Sequence, residues 1–573
     1  MRKAVLLVGI LALAGVASAQ TFVWPQKWTV AKPSEAKRGG TLRGYTISDY
    51  RTFNPFLTAE ADSVPEIISG DYGLVRRDPT TGDWIPYMAE SWTISPNKLE
   101  ITFKIRKGMK WSDGRPITAD DWIMTWRIHT DKAVGSNDYD NFFIDGKPIV
   151  LRKLDDYTIR FIYPKTDAEA FAIASFAPWP AHVFGPVYQK EGAEGIKKMW
   201  TLNEDPAKIV SAGPWVVESY RPGERVVLKR NPYFGEWNKD EAGNPLPYLD
   251  RYEIRIVKDV NAALAEFLAG NIDIFNPSTV DHISQIRQAV QQGRLDATIK
   301  VNASPVASSQ FMVFNWNKAS DPFKQSLFRS DKFRRAMSHL VNRQAVIDIV
   351  YGGLGTPMYS SVYPVLTQWI NPKVPKYEYD PKQAAKLLAE LGFTKKDREG
   401  YLVDSKGRRI EFNLATNAGN TQREQIAKLI VDEAKKVGVK VNFQAIDFNT
   451  LVGQLLSSGP DRPFDAIIIG LTGGGLDWPF GSNVVPCKGN LHMWNKSGQC
   501  LDPRETLMEK LYYQGRTELD FKKRVEIGYR IRRQHFELPP IDFWNNRLGG
   551  EHPDAIISSI WGSREVELTF IKK

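Results

Sequence analysis

Cysteine is almost missing: the 573-residue chain holds two, Cys487 and Cys500, and no CxxC pair. That excludes a disulfide-dense scaffold, a zinc ribbon and a thioredoxin-like redox centre. Its seven histidines are scattered without an HExxH, and neither a GxSxG elbow nor a Walker glycine-lysine loop occurs. The usual signatures of zinc hydrolases, serine hydrolases and nucleotide-binding enzymes are therefore absent. There is no internal repeat or low-complexity tract, and the chain lacks the ~20-residue apolar run that a spanning helix needs. The net charge of +10 lies in mixed-sign stretches such as "FKKRVEIGYRIRRQ". No basic stripe interleaves with aromatics, so the charge reads as solvated helix faces and nucleic acid is not an expected partner.

What is present begins with MRKAVLLVGILALAGVASAQ. Two cations, an apolar run from Ala4 to Ala17 and a small-residue Ala17-Ser18-Ala19 site form a cleavable secretory leader with the cut after Ala19. The expected location is periplasmic or extracellular, where an even pair of cysteines forms a disulfide. Closing so short a loop between Cys487 and Cys500 stabilises by about 3 kcal/mol. A metal pair is the competing reading of these cysteines; no metal and no cofactor is expected.

In "LEITFKIRKGMKWSDG", Leu99, Ile101, Phe103 and Ile105 alternate before turns at Lys107-Gly108 and Asp113-Gly114, which predicts half-buried antiparallel strands. A helix follows, capped by Thr118 with Asp121 three residues on and striped by Trp122, Trp126 and His129. The early region is thus α+β. Later, "IEFNLATNAGNTQREQIAKLIVDEAKKVGVKVNFQAI" reads as strand, helix and strand, with Ile426, Leu429, Ile430 and Val437 inward and Gly438 as the stop. "FDAIIIG" is a strand covered on both faces, so the later half is α/β. "YDPKQAAKLLAELGF" repeats the helix grammar, with Asp380 at the cap, Pro381 first inside and Gly392 past the end.

The stretch from Met88 to Arg127, "MAESWTISPNKLEITFKIRKGMKWSDGRPITADDWIMTWR", resembles the signature of family 5 extracellular solute-binding proteins, which serve ABC importers of oligopeptides, dipeptides and some oligosaccharides. "SAGPWVVESYRPGERVVLKRNPYF" from Ser211, "ALAEFLAGNIDIF" from Ala263 and "FRRAMSHLVNRQAVIDIVYGG" from Phe333 keep the family's order. The resemblance implies a two-lobe hinged periplasmic binding protein of the type II-like family, with α/β and mixed α+β lobes and a third domain inserted in the N-terminal lobe. Its expected division is residues 1–19 leader, 20–75 with 205–310 and 535–573 discontinuous lobe I, 76–204 extra domain, and 311–534 lobe II.

The implied work is capture of a small extended solute, peptide or oligosaccharide, and delivery to a permease driven by a cytoplasmic ATPase. The protein is expected to be a monomer that meets the membrane only through that permease, and to bind without catalysis. An exported hydrolase using Asp477 and a second carboxylate is the remote alternative.

Peptide-holding relatives present Gly-Trp-x-x-Asp-x-x-Asp-Pro after a buried strand. Here "GLTGGGLDWPF" puts Leu471 at the Trp position and Gly474 where the ammonium-pairing Asp stands, while Asp477 matches the later acid. Either Asp477 takes the missing role, or the solute carries no ammonium and is a sugar. In the second case Trp478 and Phe480 offer stacking faces, and Gly473 and Gly474 offer N–H groups. A surface loop with core-packed aromatics is the bland reading. Trp494 serves as ligand wall or packing residue. In "GYTISDYRTFNPF", Tyr45, Phe53 and Asn54 face the cleft or pack, with Asn54-Pro55 also a turn signal.

Overall fold

The computed structural model describes residues 22–23, 36–58, 63–70, 72–78, 81–299, 308–353, 355–359, 362–363, 366–472, 476–537, 541–546 and 571–572. The leader pattern lies outside them. Among the described residues no helix is long and apolar enough to cross a membrane.

The fold is mixed α/β, built on three principal sheets. In the first lobe the strands Trp215–Arg221, Arg225–Arg230, Arg251–Ile256 and Thr41–Thr46 lie side by side, the last pair parallel. Parallel neighbours require a long connection. That connection carries the extra domain, whose antiparallel sheet runs Val150–Asp155, Thr158–Ile162, Glu100–Ile105 and Ala89–Ile94, and then the other two strands of the lobe I sheet. Ile101, Phe103 and Ile105 point into its core as the alternation predicts. The following helix, Ala119–Thr130, starts where the Asp121 carboxylate accepts from the Thr118 N–H at 2.8 Å. Trp122 and His129 on it are buried, and the Trp126 indole donates to the Ile149 carbonyl at 2.9 Å.

One apolar cluster runs from Leu42 to Ile254 through both the lobe I sheet and the extra domain. Phe56 helps join them, its ring edge-on to His129 and Phe184 at 4.9 and 5.1 Å. Lobe I and the extra domain share this core; we call them together the first body.

Lobe II has its own core, from Phe311 to Ile531. Its six-stranded sheet runs Gly355–Pro357, Ile541–Asn546, Ser308–Phe314, Ala466–Thr472, Glu411–Asn417 and Lys440–Ile446. The predicted βαβ unit is there: Glu411–Asn417 and Lys440–Ile446 pair in parallel across the helix Thr421–Val437. Asn420 caps that helix and Gly438, at φ 92°, ends it in the left-handed region that glycine adopts without strain. "FDAIIIG" is central and buried, as expected.

Chain division differs from expectation at the C-terminus. Residues 535–573 were expected to return to lobe I, but Ile541–Asn546 pairs antiparallel with Ser308–Phe314 and Gly355–Pro357 inside the lobe II sheet. Pairing on both sides satisfies backbone groups that an edge strand would leave open. Among the described residues of this stretch, Ile571–Lys572 pairs with the first body, at Ala36–Lys37.

Candidate ligand cleft between the first body and lobe II

Two lines of polar contact join the first body to lobe II. On one side, the Val260 N–H donates to the Gly419 carbonyl at 3.3 Å, the Gln422 amide to the Ser278 carbonyl at 2.6 Å, and the Asn449 amide to the Asp49 carbonyl at 3.2 Å. Gly419 sits at φ 79° with the Lys258 carbonyl 2.5 Å from where a Cβ would stand, so only glycine permits this approach. The other side is a seam between the extra domain and the segments around Asp477, Asn490 and Arg516.

Arg423 lies over the ends of the central lobe II strands, where open α/β sheets place ligands. Its Nε donates to the Gln310 side chain at 2.7 Å and its Nη1 to the buried Asn417 side chain at 2.7 Å. Gly470 faces it, with Nη2 2.9 Å from where a Cβ would be. No carboxylate pairs with this guanidinium among the described residues. Burial lowers its pKa to about 10, with the Tyr351 hydroxyl opposing. A half-buried cation held by two neutral amides keeps a donor edge for an anionic group. Arg423 also stands in the first turn of its helix, where the macrodipole disfavours a cation by about 0.3–1 kcal/mol. That misplaced charge was the signal in the sequence, and reading only the glycine loop missed it.

Of the residues anticipated from sequence, the described ones pack or pair within the protein. Gly473 and Gly474 lie outside the described residues. Asp477 is occupied: its Oδ2 accepts from Arg77 at 2.5 Å and from the Trp84 indole at 3.1 Å, and its carbonyl accepts from Arg524 at 2.8 Å. Arg77 also lies 3.9 Å over the Trp84 ring.

Trp478 is 0% exposed and packed against Gly515, Trp369, Phe480 and Tyr512; in this arrangement it presents no face to a ligand. Phe480 belongs to the same core. Trp494 is buried, with its indole donating to Glu505 at 2.6 Å beside His492. Phe53 is buried edge-on to Tyr220 at 5.2 Å.

Asn54 is a buried staple: its amide donates to the Ile196 and Met199 carbonyls at 2.7 and 3.1 Å, and its Oδ1 accepts from the Phe56 N–H at 3.0 Å. For these five side chains ligand contact and packing were both open from the sequence, and each is packed here. Tyr45 is half-buried and stacks on Phe275 at 5.6 Å. The Cys487–Cys500 disulfide is formed. It borders the buried cluster in which Glu505 also accepts from His492 at 3.0 Å.

The model for bacterial extracellular solute-binding proteins, family 5 middle region, matches residues 83–488. A Deinococcus radiodurans protein described as a "Probable ABC transporter-binding protein" is 47% identical, with all of both chains covered. Among solved structures, the Bacillus subtilis oligopeptide-binding protein AppA in complex with a nonapeptide is similar with a TM-score of 0.74 and 24% identity, covering 89% of this chain and 94% of that one. The Agrobacterium fabrum periplasmic binding protein MelB in complex with stachyose has a TM-score of 0.76 at 21% identity, covering 94% and 84%.

Proposed function

The chain belongs to the bacterial extracellular solute-binding proteins of family 5, the substrate-binding components of ABC transporters, and from that premise we propose that it captures an oligopeptide-like solute with an anionic end. The observation that carries this reading is Arg423, a cation without a carboxylate partner among the described residues, set over strand ends between the two bodies. A peptide's C-terminal carboxylate supplies the missing partner, and the bidentate fork of arginine suits it.

Binding draws the two bodies together, and exclusion of water strengthens each hydrogen bond in the cleft. The closed complex then meets a permease whose ATPase lies across the membrane. The protein works as a monomer after removal of a leader ending at Ala19, and it binds without turnover. Residues 76–204 form the extra domain and residues 311–534, extended to 546, form lobe II. The sugar alternative loses the support of its aromatic platform, because Trp478, Phe480 and Trp494 are buried in the lobe II core.

Native mass spectrometry of protein purified from its own host, with fragmentation of the released solute, tests the proposal. A ladder of amino-acid masses supports it, together with loss of that solute from an Arg423→Met variant. Hexose-spaced masses overturn it.

A further inference from the structure

The seam between the extra domain and lobe II is the more heavily built of the two contacts, and the bonds described below do not involve Arg423. At its centre is Arg516, on the helix Pro503–Arg516 of lobe II. Its side chain and that of Asp167 in the extra domain are both 0% exposed. The guanidinium donates to Asp167 through Nε at 3.2 Å and Nη2 at 3.0 Å, and to the Phe143 and Asn141 carbonyls at 3.1 and 3.0 Å. Glu169 stands 3.7 Å away.

Around this bolt, the Ala168 N–H donates to the Arg516 carbonyl at 2.8 Å and the Thr166 hydroxyl to the Thr517 carbonyl at 2.7 Å. The Asn490 N–H donates to Asp140 at 3.1 Å, and Ser482 donates to Asn141 at 2.5 Å. The Arg77–Asp477 pair closes the near end.

Because the extra domain shares one core with lobe I while lobe II has its own, these bonds cross between two bodies. A buried ion pair costs desolvation that only good geometry offsets, and removing one partner leaves a stranded charge. Such a pair across an interface makes joining of the surfaces all-or-none. We propose that this seam is a closing latch, with Arg516 and Asp477 as positioning residues that set the closed-to-open ratio of the protein without touching solute. The inference rests on the reading of the protein as a two-body binder that closes, and not on the solute's class.

Hydrogen exchange on the solute-free protein tests it, read by mass spectrometry at peptides spanning 164–170 and 486–492, where the Ala168 and Asn490 amides report the joined seam. In the wild type these amides are expected to be protected. In Arg516→Lys and Asp477→Asn their protection is expected to fall at least about tenfold, with core amides such as those of the strand Ala466–Thr472 unchanged. Asp477 is 30% exposed, so its variant keeps the fold should the buried Arg516 substitution not. Unprotected seam amides in the wild type, or equal protection in the variants, overturn the latch. Neither result bears on whether a solute co-purifies, so the binding reading fails or stands separately.

Discussion

Adding a single methyl group at Gly515 separates packing from solvent exposure at Trp478. Gly515 sits in the last turn of its helix, and a Cβ there would lie 1.9 Å from Trp478 Cη2 and 2.5 Å from Cζ2 and Cζ3. Contact needs about 3.4 Å or more, so the ring must move by more than an ångström. It has little room: Phe480, Trp369 and Tyr512 stand around it with centroids at 4.8, 5.7 and 6.1 Å. Overpacking of this kind costs about 1–3 kcal/mol, against which alanine's helix preference returns about 1 kcal/mol.

Gly515→Ala is therefore expected to destabilise lobe II by up to about 2 kcal/mol. Gly453 in the helix Phe448–Leu456 supplies the matched control, since a Cβ there meets nothing within 4 Å. Gly453→Ala is expected to stabilise by about 0.5–1 kcal/mol. Urea unfolding followed by tryptophan fluorescence reads both midpoints. If Gly515→Ala raises the midpoint as Gly453→Ala does, Trp478 is not wedged as described and its face becomes available to solute again.

Asn54→Ala removes three hydrogen bonds from a buried turn and is expected to cost about 2–3 kcal/mol in the same assay, with the mass of the bound solute unchanged. Reducing the Cys487–Cys500 bond should lower stability by about 3 kcal/mol, seen as a lower unfolding midpoint in reductant.

The latch should respond to pH. Burial pushes the Glu169 carboxyl up to about 8, with Arg516 and Arg524 opposing and Asp167 and Asp477 adding to the rise; Tyr512 lies on the same helix as Arg516. Joining the seam thus takes up a proton at Glu169. Its contribution to closing is full below the ordinary carboxyl value of 4.5 and is lost as pH rises through about 8. Seam protection factors should therefore decline between pH 6 and pH 9 by at least about threefold, and Glu169→Gln should flatten that decline. A wild-type profile as flat as the variant's refutes this role.

Local grammar made much of the fold readable in advance. Asp121 answering Thr118, Asp380 before Pro381, Gly438 after a helical run and the apolar "AIII" strand each depend on neighbours within a few residues, and each appears where expected. The ligand cleft depended on distant partners. Nothing near Asp477 announces Arg77, 400 positions away, and nothing near Trp478 announces that Gly515 leaves room for its ring. Aromatic and acidic residues on a glycine-rich loop look alike whether they meet a solute or a neighbouring domain. The terminal strand Ile541–Asn546 was misplaced for the same reason, its partners lying at Ser308–Phe314 and Gly355–Pro357.

That strand also dictates a timetable. Once residue 256 has been synthesised, both sheets of the first body have all their strands, whereas the lobe II sheet stays split until residue 546 emerges. At about 5–20 residues per second that interval is roughly 15–60 s. From the synthesis of residue 314 until the end of that interval the edge of Ser308–Phe314 lacks its Ile541–Asn546 neighbour and is open to mispairing, so a holding chaperone is expected to spend its time on the lobe II half of the nascent chain.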